Sequence, residues 1–310
     1  MCNVAKVKET EADADKNVCG NCGTAGGDIN LKKCAACELV RYCNVECQRQ
    51  HRPRHKKACK KRVKELHYKE LFTQPDCSHL GECHICFLPL PLDRAESVFH
   101  PCCSETICKG CVHANHMSNL HDDTKARSCP FCREPWPNEG ESDNRLMKRI
   151  KANDPAALSH MGLKLYLEGD YDGSVEFITK AAELGDLDAY HMLGTMHGLG
   201  QGVEKDMEKA VYHSEKAAIG GHPCARHNLG SYEQKNGNTE RSVKHYIIAA
   251  NLGYKLSMKE LWKHYSAGNI TKEDLDATLR AHQTAIDEMK SEQREAADLV
   301  LKEVDEVYEK

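Results

Sequence analysis

Aromatic side chains make up only 6% of this 310-residue chain, too few for one large aromatic core, so its cores should be small and local. No apolar run approaches the roughly 18 residues that a membrane-spanning helix needs. The opening stretch, Met1 to Asn17, is polar and lacks the apolar centre of an export signal; residues 1–17 read as a disordered tail. Neither sign of charge dominates. A net charge of −4 gives no general pull toward nucleic acid or an anionic membrane. Nucleophile–base triads are missing, and so are phosphate-cradling loops: Gly198–Gly202 is not followed by the Lys-Ser/Thr of a P-loop.

Thiols are what the chain has in excess, 18 of them. Without an export signal they read as metal ligands rather than disulfides, which points to a reducing compartment, cytoplasm or nucleus. The first group is Cys19-x2-Cys22, Cys34-x2-Cys37, Cys43-x3-Cys47 and His55-x3-Cys59. A two-residue gap lets a tight turn aim both sulfurs at one ion, and a three-residue gap suits one face of a helical turn. Eight ligands fill two closed tetrahedral sites, which leave no position for water and stabilise a fold rather than catalyse. Cys2 reads as an unligated thiol.

The strings Cys34-Ala-Ala-Cys37, Arg41-Tyr42-Cys43, Cys47-Gln48 and His55-Lys56-Lys57-Ala58-Cys59 resemble a MYND-type zinc finger over residues 18–60. The resemblance implies interleaved sites: Cys19, Cys22, Cys43 and Cys47 on one Zn2+, and Cys34, Cys37, His55 and Cys59 on the other. Such fingers bind proline-rich peptides with a Gln and a Trp; Gln48 matches, but Arg52 stands at the Trp position, which removes the apolar wall. His51 reads as an exposed imidazole. Arg49 to Lys64 holds nine Lys or Arg with no interleaved aromatics, so it reads as a solvated helix face and nucleic acid is not the expected partner. No cofactor-binding segment of the methyltransferases sometimes joined to MYND fingers is present. Residues 61–80 form a connector with helical spacing, broken at Pro75. Cys77 and His79 are surplus ligand types beside better-spaced pairs.

Residues 81–136 carry four more pairs: Cys83-x2-Cys86, Cys102-Cys103, Cys108-x2-Cys111 and Cys129-x2-Cys132. This run resembles a RING finger, in which the first and third pairs share one zinc and the second and fourth share another. Cys83, Cys86, Cys108 and Cys111 fit the first site. Cys103, Cys129 and Cys132 fit the second, whose remaining ligand is Cys102, His100 or Glu105. By the same resemblance Ile85, Pro130 and Arg133 match positions that dock a ubiquitin-conjugating enzyme, which a RING-type ligase holds in a reactive pose without bond-making of its own. A structural reading of the same three residues, as shapers of the zinc loops, stands beside it. His113, His116 and His121 read as exposed.

After a linker and leading helix at 137–152, self-similarity takes over. Ala157/Gly162, Ala189/Gly194, Ala225/Gly230 and Ser257/Trp262 share one frame, at spacings of 32, 36 and 32 residues. Ala181-Ala182, Ala217-Ala218 and Ala249-Ala250 fall eight residues before each new copy, with Gly185, Gly220 and Gly253 as helix stops. Asp154-Pro155 supplies a cap and a first-turn proline. The loop Gly198–Asp206, with Lys209-Ala210 and Tyr212, resembles Sel-one-like repeats, relatives of the tetratricopeptide family, over residues 153–285. Such arrays stack into a superhelix that holds protein partners. Cys224 reads as a buried small residue, and residues 286–310 as a capping helix. The fold expected is therefore multidomain: two small zinc-stapled modules followed by an all-α helical-repeat solenoid.

Overall fold

Four Cys-x2-Cys segments close in one way. In each, the amide after the second cysteine donates to the carbonyl of the first, and that residue turns left-handed: Gly23, Glu38, Phe87 and Arg133, at φ of 75°, 58°, 56° and 65°. Glycine accepts such a φ without strain, but three of the four are bulky, a conformation held only where the surroundings dictate it. The computed structural model describes residues 17–27, 30–120, 128–138 and 140–308. Expectations for the tail, Cys2 and His121 lie outside them. The described chain forms two compact units, one up to Gln74 and one from Pro75 onward.

In the first unit a short hairpin, β1 (Lys32–Lys33) and β2 (Arg41–Tyr42), precedes α1 (Val45–Leu71). Asn44 caps α1 by accepting from the Cys47 amide at 2.8 Å. The helix runs 27 residues from the finger into the first half of the expected connector and ends at Leu71, and the unit boundary falls at Pro75, where the helical spacing breaks. Its run of Lys and Arg is mostly solvated, and Glu46 and Glu65 pair with three of them. The core here is mainly sulfur: Cys19, Cys34 and Cys37 with Leu31 and Tyr42.

The second unit opens with the hairpin β3 (Ser97–His100) and β4 (Glu105–Cys108), then α2 (Lys109–Leu120) and α3 (Glu141–Lys151). Eight helices follow in antiparallel pairs: α4 (Pro155–Glu168) with α5 (Tyr171–Glu183), α6 (Leu187–Leu199) with α7 (Met207–Ile219), α8 (Pro223–Lys235) with α9 (Thr239–Asn251), and α10 (Lys255–Ser266) with α11 (Lys272–Glu288). The repeated alanines are the contact points between them: Ala157, Ala181, Ala189, Ala217, Ala225 and Ala249 are wholly buried. At the matching glycines the partner helix comes too close for a methyl group. A Cβ on Gly162 would lie 2.4 Å from Ile178, on Gly194 2.5 Å from Ser214 Oγ, and on Gly230 2.7 Å from the Tyr246 ring. Asp154, Asp170, Asp186 and Asp206 cap successive helices, each cap stabilising by about 1 kcal/mol.

Three details differ from expectation. Gly220 closes α7 at an ordinary φ of −73°, and the left-handed residue is Gly221, at 89°. A Cβ there would sit 2.7 Å from the Cys77 carbonyl, so glycine is needed for a long-range contact as well as for the stop. Cys224 is only half-buried and accepts from the Tyr254 hydroxyl at 3.5 Å. The last helix, α12 (Glu292–Tyr308), packs against α2; it is α11 that lies over α9 and α10. Among the described residues no helix is long and apolar enough to cross a membrane.

Candidate metal centres

The structure gathers sixteen ligand atoms into four groups of four, each group within 4.8 Å. Cys19, Cys22, Cys43 and Cys47 form one group, and Cys34, Cys37, His55 and Cys59 another. In the first, Cys43 Sγ lies 3.3 Å from Cys47, 3.6 Å from Cys22 and 3.7 Å from Cys19. Tetrahedral zinc with Zn–S bonds near 2.3 Å requires about 3.8 Å between sulfurs. Cys37 Sγ lies 3.2 Å from His55 Nε2. His51 is not the free imidazole its sequence neighbourhood suggests: Tyr42 Oη lies 2.9 Å from its Nδ1, and its ring stacks on His55 at 5.5 Å. It steadies a ligand, and only its i−4 spacing from His55 hinted at this. Gln48 and Arg52 are both exposed on α1.

In the second unit Cys83, Cys86, Cys108 and Cys111 converge, as do Cys102, Cys103, Cys129 and Cys132. The hairpin explains how adjacent cysteines reach one point. His100 and Glu105 are paired across β3 and β4, and the turn between them bends at a left-handed Ser104 (φ 60°), with the amides of Cys103 and Ser104 both donating to the His100 carbonyl. Cys102 then lies 3.4 Å from Cys132, and Cys103 3.9 Å from Cys129. Neither His100 nor Glu105 joins the group. His100 is buried, and Glu105 is occupied by His84 Nδ1 at 2.7 Å. Arg149 of α3 donates to the Cys102 carbonyl from Nε and Nη2, at 3.2 and 2.9 Å.

Thiols this crowded cannot all ionise unaided. The hydrogen bond from Cys108 draws the Cys83 thiol down to about 4, and the same bond with burial pushes Cys108 up. A divalent cation bonded to all four sulfurs removes the conflict, and the all-sulfur and three-sulfur-plus-imidazole sets suit zinc above other common metals.

The loops of the finger face outward unevenly. Ile85, Phe87, Phe131 and Arg133 are exposed, whereas Pro130 is buried. His84 lies against Phe131 at 5.7 Å, which sets the Cys83–Cys86 loop beside the Cys129–Cys132 loop.

A fifth cluster was not anticipated as a unit. His79 Nε2 and His222 Nε2 approach Asp188 Oδ1 at 3.2 and 3.3 Å, and Arg94 also donates to that oxygen. It is a poor metal site. His222 Nδ1 accepts from the Ala225 amide as the cap of α8, so its proton sits on Nε2 and no lone pair faces a metal. The Arg94 cation already holds the carboxylate. Burial opposes ionisation of Asp188, but hydrogen bonds from His222 and His79 hold its carboxyl well below the ordinary value. His79 thus serves an ionic joint between finger and array, and Cys77 belongs to none of the ligand groups among the described residues.

Residues 19–59 match the MYND finger. Three successive segments, 155–186, 187–222 and 225–254, match the Sel1 repeat. Among solved structures, a Sel1 repeat protein from Oxalobacter formigenes is 25% identical, with 56% of this chain and 71% of that one covered at a TM-score of 0.42. A protective antigen of uropathogenic Escherichia coli strains displaying an SLR fold is 21% identical, with 61% and 41% covered at 0.39. The MYND finger, the further cysteine clusters and the Sel1 repeats together make this a zinc-binding protein-interaction protein, with a Cys-rich region ahead of a helical repeat solenoid.

Proposed function

We propose that the chain recruits a protein partner through its Sel1 repeats and a ubiquitin-conjugating enzyme through residues 81–136, acting as a RING-type ubiquitin ligase. The observation that carries this reading is the alternation of ligands: first with third pair, second with fourth. Crossed connectivity of this kind staples a segment with little apolar core and presents two metal loops side by side. Exposed Ile85 and Phe131 then offer an apolar contact, and Arg133 a fan of donors at its rim. Finger and array belong to one compact unit, so a partner on the repeats would stand at a fixed distance from whatever docks on the finger. All sixteen gathered side chains serve as zinc ligands in this reading, and all four zincs are structural.

A non-enzymatic adaptor is the second reading, and buried Pro130 favours it, because one of the three docking positions is not presented. Autoubiquitination of the full chain with a broad panel of conjugating enzymes separates the two. The ligase reading requires ubiquitin chains from the wild type and their loss in Ile85→Ala and Arg133→Ala. No chains with any enzyme would leave the adaptor.

A further inference from the structure

The helix α12 has no counterpart in the repeat pattern, yet its Arg294 is 8% exposed and lies at the first metal cluster of the finger. Its guanidinium reaches back across more than two hundred residues. Nη1 donates to the Pro89 carbonyl at 2.8 Å and to the Met289 carbonyl, at the end of α11, at 2.6 Å. Nη2 faces Cys86 Sγ at 3.5 Å and the Leu88 carbonyl at 3.4 Å, and the group also neighbours the Cys108 sulfur. The approach is built in. Gly110, between ligands Cys108 and Cys111, has no space for a side chain: a Cβ would lie 2.8 Å from the Arg294 amide nitrogen and 2.9 Å from the Gln293 carbonyl carbon. Backbone therefore rests on backbone where α12 crosses α2.

We propose that Arg294 is a positioning residue for the first zinc of the finger, and that α12 forms part of that metal centre. The inference rests on zinc occupying the Cys83, Cys86, Cys108 and Cys111 group. Four thiolates around a divalent ion carry a net charge of −2 in a largely water-excluded setting. A fixed guanidinium offsets part of that charge, and its N–H···S contact holds the Cys86 sulfur in place beside the ion. Its bonds to Leu88 and Pro89 fix the turn that aims Cys86. The carboxy-terminal helix thereby couples the end of the array to metal retention in a finger far away in sequence. Arginine rather than lysine suits the task, because four acceptors must be met from one planar group.

The test uses the full chain loaded with 113Cd, whose resonances report each sulfur-rich centre separately, together with zinc release to a chromophoric chelator. Arg294→Gln is expected to move one all-sulfur resonance, leave the others in place, and speed zinc loss from one centre by about 10- to 100-fold. Arg294→Lys keeps the charge but reaches fewer acceptors, and its release rate should fall between the two. Release and resonances unchanged in Arg294→Gln would overturn the proposal. Should that variant fail to fold, Arg294→Lys decides: a wild-type spectrum and release rate in it overturn the proposal equally. Wild-type protein with a single all-sulfur resonance would instead remove the zinc reading of the finger on which the proposal rests.

Discussion

His79, just ahead of the finger's first ligand pair, lies face to face with His222 at the head of α8, the ring centroids 4.0 Å apart and the planes 16° from parallel. Both rings turn Nε2 to one oxygen of Asp188, and the His79 amide donates to the Gly221 carbonyl at 3.1 Å. The two rings stack while sharing one half-buried anion. Arg94 balances that anion, so finger and array meet at a neutralised joint rather than an apolar patch.

Asp188→Asn should break this joint. The amide oxygen still accepts from the rings, but it no longer carries the charge that all three donors share, and Arg94 loses its counter-charge. Removing one partner of a buried pair costs on the order of 3–5 kcal/mol; partial exposure of Arg94 reduces that to about 2–3. Urea unfolding followed by helical circular dichroism measures the loss. An unchanged midpoint would mean the finger is held elsewhere.

Acid should loosen the same joint. Burial, with the neighbouring His79, lowers His222 to about 3, and burial lowers His191, whose ring lies 4.4 Å from His222, to about 4. Unfolded histidine titrates near 6.5, so their contribution is complete above pH 6.5 and is lost as the pH falls toward the folded values. Asp186, raised to about 6 by burial and then by Asp188, works in the opposite sense below pH 6. Two histidines against one carboxyl leave about one proton, or roughly 1.4 kcal/mol of stability per pH unit. His191→Leu should flatten the slope between pH 6 and 4.5 by about that amount. A parallel slope would show that His191 is already exposed to protons.

The repeats were legible because their signal is steric and periodic: Ala157, Ala189 and Ala225 had to be small for helices to cross, and smallness is written in the residue type. The stop after α7 is the second glycine of Gly220-Gly221, four residues past Ala217 as Gly185 is past Ala181 and Gly253 past Ala249, so the repeat frame already marks it and the Cys77 carbonyl adds a second constraint. The ligand pairs stood out by spacing, yet the left-handed Glu38, Phe87 and Arg133 carry no mark, since the metal turn imposes a conformation their side chains do not favour. His51, Arg294 and the Asp188 joint were illegible for a common reason. Each is an ordinary polar residue whose partner lies on another element, from 9 to more than 200 positions away in the sequence.

Gly230→Ala should destabilise the array by roughly 1–3 kcal/mol, the usual penalty of overpacking. Its Cβ would press on a Tyr246 ring that is 1% exposed and whose hydroxyl is held by Ser231 and Gln234, both at 3.1 Å, so the ring cannot step aside. Gly169→Ala is the control. Nothing lies within 4 Å of its Cβ, and only its φ of 86° opposes the change, at about 1 kcal/mol. Thermal melts of the two variants should therefore differ in the order Gly230→Ala below Gly169→Ala. The reverse order would mean that left-handed strain, not helix contact, governs these glycines.

Stripping the metal should separate the two halves of the chain. The cores around the clusters are mostly cysteine, with Leu31 and Tyr42 in the first finger and Leu90 and Ile107 in the second. Two buried apolar side chains apiece contribute only about 3–6 kcal/mol, against roughly 10–16 kcal/mol for a structural zinc. The repeat cores around Ile178, Leu193, Tyr246 and Leu261 contain no sulfur ligand. A strong chelator should thus release four zincs per chain and open residues 17–74 and 83–133 to proteolysis, while the helical signal of α4–α11 persists. Three zincs would single out the Cys102–Cys103 centre, where adjacent ligands leave the least freedom. Protection of both fingers after complete metal loss would show that some interaction other than thiolate–metal bonding holds them.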